Sequence, residues 1–236
     1  MINSRIDPKS QGFSLIELVI VLAVVGVLMG GLIMPLSAQI DARNLTDTQK
    51  TLSEAKEALI GYAAANGRLP CPATATSNGL ESPDGGGVCT NAYSGFLPAA
   101  TLGLTVTDNQ GFALDAWGNR LRYAVTPWKT SLYTTVNALK NNWPLSDSRV
   151  LLTLSSTAAN GNIKLADNAI AVIFSVGKNK SNPAGLDESH NLNNDAIFIS
   201  HEATSEASPG GEFDDVVTWL AEPIFFNRLI SAGRLP

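Results

Sequence analysis

The chain has 236 residues, 44% hydrophobic and 16% charged, with 16 Lys+Arg against 21 Asp+Glu and a formal net charge of −5. That length and composition suit a folded domain with its own core, and the acidic balance argues against an extended nucleic-acid-binding surface. No nucleic-acid partner is expected.

The first twelve residues, Met1 to Gly12, are hydrophilic and carry Arg5 and Lys9 against Asp7. An apolar run then opens at Phe13 and continues to Met34, 22 residues with Glu17 as its single charge. At about 1.5 Å per residue such a helix is roughly 33 Å long, enough to cross a hydrocarbon core of about 30 Å. The positive-inside rule keeps the basic end cytoplasmic and sends the rest of the chain outward. A secretory signal peptide is cut after its apolar region at small residues, and Met34-Pro35-Leu36-Ser37-Ala38-Gln39 is a poor site of that kind. Glu17 is costly at membrane depth, by a few kcal/mol, and so calls for a partner.

Gly12, Phe13, Glu17 four positions on and the unbroken apolar helix together resemble the class III signal of type IV prepilins and type II secretion pseudopilins. The resemblance implies cleavage by prepilin peptidase between Gly12 and Phe13, N-methylation of Phe13, and retention of the apolar helix on the mature protein. It also implies that Glu17 pairs with the terminal amine of a neighbouring subunit during assembly. Partners implied in the same way are prepilin peptidase, other pilin or pseudopilin subunits, an inner-membrane assembly platform and membrane lipid. The localisation implied is the inner membrane, single-pass, with the head in the periplasm, then a periplasmic or extracellular filament. The alternative is an uncleaved signal anchor carrying a periplasmic enzyme or ligand-binding domain.

Four segments follow in order: a leader (1–12), a membrane and filament-core helix (13–34), an amphipathic continuation of that helix (35–66) and a globular head (67–236). Gly30-Gly31 and Pro35 predict a kink or weak point in the helix, because glycine loosens it and proline removes a donor and clashes one turn back. In the amphipathic half, Leu45, Leu52, Ala55, Leu59 and Tyr62 form one apolar stripe, and Asn66-Gly67 supplies the stop. Cys71 and Cys89 are the whole thiol inventory and lie beyond the membrane helix, where the compartment is oxidising. A disulfide there closes a loop for about 3 kcal/mol in the chain-entropy model. A free thiol or half of a metal site is the rival, and neither has histidine support.

Between Pro70 and Pro98 the chain is turn-rich, with Gly85-Gly86-Gly87 barring regular structure. Asp115-Ala116-Trp117-Gly118-Asn119 leads into alternating Arg120 to Thr126, a strand entered from a glycine turn. It is similar to a turn-and-strand motif of the major pseudopilins, with Ala116 and Arg120 where those proteins carry prolines; the likeness implies an indole packed on the helix. Further strands are predicted at 149–155, 169–176, 195–200 and 213–220, with a small one at 162–165 after an Asn160-Gly161 hairpin turn, then a last helix over 224–232. Successive strands without intervening helices predict an antiparallel sheet packed by one face on the amphipathic half-helix, an α+β fold that the resemblance makes type IV pilin-like.

The head shows no enzyme-family spacing of Ser, His, Asp or Cys, so no catalysis is expected, and His190 and His201 read as solvated surface residues. Asp187, Glu188, Asn193, Asn194 and Asp195, followed by Glu212, Asp214 and Asp215, make an oxygen-rich stretch of the kind calcium needs. Major pseudopilins bind calcium in the corresponding region, and the resemblance suggests Asp187, Asp195 and Asp214 as ligands here.

Overall fold

A computed structural model describes residues 12–127, 131–142, 152–157, 163–179 and 185–235; the side chains of residues 29–36 lie outside the description. The chain divides into two compact units, residues 1–43 and 44–236.

One helix, α1 (Leu15–Asn66), runs for 52 residues. In the first unit every large apolar side chain from Phe13 to Leu28 is exposed, Phe13 at 85% and Val27 at 76%. Among the described residues no helix is long and apolar enough to cross a membrane. The remainder of the apolar run, and the weak point expected between Gly30 and Pro35, fall on the side chains outside the description.

In the second unit the helix turns amphipathic. Thr48, Leu52, Ala55, Leu59, Ile60 and Ala63 are buried, spaced three or four apart or adjacent on one stripe. The stripe starts at Thr48 and not at Leu45, which is 40% exposed. Gly67, at φ +70°, ends the helix by donating its N–H to Ala63 O at 2.8 Å, where a β-carbon would be strained. The side chain of Arg234 caps the same end, bonding the carbonyls of Ala64 and Ala65.

The elements that follow are β1 (Gly95–Phe96), α2 (Ala99–Leu102), β2 (Arg122–Val125), α3 (Ala138–Asn141), β3 (Leu152–Ser155), β4 (Lys164–Ser175), α4 (Leu186–Asn191), β5 (Ile197–Ile199), β6 (Val216–Ala221) and α5 (Glu222–Ser231). β4 is the centre of the sheet and pairs antiparallel with β2, β3 and β6. It absorbs the described part of the small strand expected at 162–165 into one strand of 12 residues. The hairpin turn at Asn160-Gly161 lies outside the described residues.

One expectation is corrected, that of a purely antiparallel sheet. The sheet is mixed, because β5 runs parallel to β3 with Thr153 opposite Ile197. The chain crosses the central strand and α4 before it returns beside β3, and that crossover sets the direction. Both faces of the sheet carry buried apolar side chains. Tyr123, Val125, Ala171 and Ile173 face the cluster that contains the α1 stripe, Leu220, Phe225 and Leu229. Their neighbours Ala124, Val172 and Phe174 alternate to a second cluster with Leu152, Leu154 and Phe198. Two-sided burial is why β4 reads as an unbroken apolar run from Ala169 to Phe174. The architecture is α+β: a long N-terminal helix and a curled mixed sheet.

Cys71 and Cys89 form the disulfide, with S–S 2.04 Å. In the Asp115 turn, Asp115 Oδ1 accepts the N–H groups of Trp117 and Asn119 at 2.9 and 2.7 Å, and Gly118 takes φ +85°. The turn docks on α1 through Ala116 N–H to Thr48 Oγ1 at 3.1 Å. Trp117 is half-buried and joins neither apolar cluster.

Candidate functional sites

The first site is the start of α1. Gly12 and Phe13 are exposed and precede the helix, so the peptide bond between them is open to a peptidase without unwinding a helical turn. Ser14 closes the helix behind them: its Oγ accepts the N–H of Glu17 at 3.3 Å, and its carbonyl takes the N–H groups of Glu17 and Leu18 at 3.1 and 3.2 Å. Ser14 and Glu17 therefore occupy the N-cap and N3 positions of a capping-box spacing. Ser-x-x-Glu before an apolar run is the sequence signal for this cap. The carboxylate of Glu17 sits in the first turn, where the helix dipole favours a negative charge.

The second site lies in the other unit. Glu188 on α4 and the pair Asp214 and Asp215 just before β6 bring carboxylate oxygens within 4.8 Å of one another. Glu188 accepts both contacts of Asn179 Nδ2, at 3.0 and 2.9 Å, and the N–H of Asp214 at 2.9 Å. Asp214 Oδ2 accepts the N–H groups of Lys178 and Asn179 at 2.8 and 3.1 Å. Asp215 Oδ2 accepts Asn191 Nδ2 at 2.7 Å, and Asn191 is itself fastened to the backbone of Ile199. Gly177, at φ +64°, permits this closeness: a β-carbon there would stand 2.0 Å from Asp214 Oδ1. The turn is tied back to the Asp115 loop, since Gly177 donates to Ser175 Oγ at 3.1 Å and Ser175 donates to Asp115 Oδ2 at 2.5 Å.

Burial is the first cause of the cluster's altered acidity. It pushes Asp215 up to about 8, with the charges of Glu188 and Asp214 adding to it and Asn191 and Arg122 opposing. Asp214 rises to about 6, again through burial first and the neighbouring Glu188, against two backbone donors. Two acceptor atoms, Asp214 Oδ1 and Asn179 Oδ1, are buried with no hydrogen-bond partner. An all-oxygen donor set with orphaned acceptors suits a hard cation such as calcium better than zinc or copper, which take nitrogen and sulfur.

Of the three ligands the sequence suggested, only Asp214 belongs to this group. Asp187 is buried apart from it, accepting Thr157 Oγ1 at 3.1 Å and facing His201 Nε2 at 3.3 Å. Asp195 is turned to its own loop, accepting Asn193 Nδ2 at 2.9 Å and the N–H of Ile197 at 2.8 Å. Neighbours on a helix point about 100° apart, so Glu188 meets Asp214 while Asp187 does not. His201 is also corrected: its ring stacks on Phe213 at 3.8 Å between centroids and is not a solvated surface group. A cavity of about 80 Å³ beside Gly67, Leu139, Leu229 and Leu235 holds none of these carboxylates and is far below the several hundred Å³ of a typical small-molecule pocket.

Comparison with known proteins bears on the first site. Residues 7–33 match the family described as the prokaryotic N-terminal methylation motif. The chain carries a class III signal. This is the signal of type IV pilin-like proteins, and it spans the Gly12–Phe13 junction, Glu17 and most of the apolar run. No curated protein and no solved structure matches the chain.

Proposed function

We propose that the chain is a structural subunit of a bacterial envelope filament, a type II secretion pseudopilus or type IV pilus, in which it is a minor component. Prepilin peptidase cuts it between Gly12 and Phe13 and methylates Phe13; the inner-membrane assembly platform then passes it from lipid into the filament. The observation that carries the reading is the class III signal laid on an exposed Gly12–Phe13 junction directly before a capped helix. A helix whose apolar side chains are exposed all round needs an apolar surrounding, and lipid or a bundle of like helices supplies one. Glu17 pairs with the Phe13 amine of a neighbouring subunit, which neutralises both charges in a low-dielectric bundle and fixes the register between helices. Mass analysis of the N-terminus tests processing: N-methylated Phe13 is expected, and an intact Met1 in cells with prepilin peptidase would turn the reading to an uncleaved, anchored periplasmic enzyme or binding domain. Glu17→Ala is expected to insert and be cleaved but to assemble poorly; normal filaments from it would refute the pairing. Deletion read by exoprotein secretion, surface motility and DNA uptake separates pseudopilus from pilus.

The proposal extends to calcium held by Glu188, Asp214 and Asp215. The orphaned Asp214 Oδ1 favours it. Calcium at a hundredfold excess over its dissociation constant would add about 2.7 kcal/mol to stability. A calcium-dependent rise in Tm that Asp214→Ala abolishes is expected; the same Tm in calcium and in chelator would end this part of the proposal.

A further inference from the structure

We draw no further inference here: the strongest candidate, the buried Glu188, Asp214 and Asp215 cluster between α4 and the start of β6, belongs to the site already described, and no second observation beyond its own orphaned acceptors assigns it another ligand.

Discussion

Glu81 and Asp215 are both buried carboxylates, at 6% and 8% exposure, yet one meets a guanidinium and the other meets two more acids. Glu81 takes a two-pronged pair from Arg68, Nη1 to Oε2 at 2.7 Å and Nη2 to Oε1 at 2.6 Å. Tyr62 Oη donates to the same carboxylate at 3.2 Å and the N–H of Cys71 at 3.0 Å, so its oxygens are filled by donors. This site joins the last turns of α1 to the disulfide loop; the Glu81 carboxylate is filled, while Arg68 Nε is buried with no hydrogen-bond partner. The acidic cluster keeps two acceptors without donors and two raised pKa values. Each site has a positive-φ glycine pressed against it: a β-carbon on Gly86 would come 2.7 Å from Arg68 Nη1, as one on Gly177 would meet Asp214. Close backbone approach is therefore common to both, and the two sites differ in charge balance, an acid paired with a guanidinium against three acids together.

The largest effect is expected at the balanced site. Glu81→Gln leaves the Arg68 guanidinium buried without its counter-charge, at a cost of about 3 to 5 kcal/mol. Urea unfolding should show the loss, and the double change Arg68→Met with Glu81→Leu should recover much of it, because two apolar groups of similar size leave no charge behind. If Glu81→Gln unfolds like the parent protein, the pair is not the fastening described.

A smaller effect of opposite sign is expected at the acidic cluster. In chelator, Asp215 keeps its proton when folded up to about pH 8 but loses it near pH 4 when unfolded. The folded state thus binds more protons between those values, and stability falls as pH rises through that window. Asp214 adds to the slope up to about pH 6. Asp215→Asn should be more stable than the parent at pH 8 by a few kcal/mol and about equal at pH 4. Calcium should flatten the parent's slope by favouring the ionised cluster. A parent protein whose Tm is the same in chelator at pH 5 and pH 8 would remove the distinction between the two sites.

The long helix α1, the last helix α5 and most strands were legible because their signals are local, whereas the short helices α2, α3 and α4 were not. The α1 stripe repeats at helical spacing, Asn66-Gly67 marks its stop, and Pro223 lies in the first turn of α5. The Arg120 to Thr126 alternation gave β2, and Phe213 to Leu220 gave β6 within a few residues. The Gly12–Phe13 junction and Glu17 were legible as a signal for the same reason. What was not legible depends on pairing across distance. Arg68 and Glu81 are 13 positions apart, one before the disulfide loop and the other inside it, and neither belongs to a recognisable motif. The parallel run of β5 follows from the crossover and leaves no mark on Ile197 to Ile199. In the acidic stretch, composition found Asp214, but only the fold could choose Glu188 over its neighbour Asp187.

The smallest expected effect tests whether the balanced site is held by hydrogen bonds as well as by charge. Tyr62→Phe removes one donor to Glu81 and leaves the ion pair, at a cost of about 1 kcal/mol. Burial first, then the charge of Glu81, raises the Tyr62 phenol above its usual range. A raised folded value stabilises the protein below the ordinary tyrosine pKa of about 10 and is lost as pH climbs past the folded value. The parent protein should therefore weaken above about pH 10 more steeply than Tyr62→Phe, while both behave alike between pH 5 and 8. Curves that instead diverge between pH 5 and 8 would mean that a group other than the Tyr62 phenol sets the difference between the two proteins.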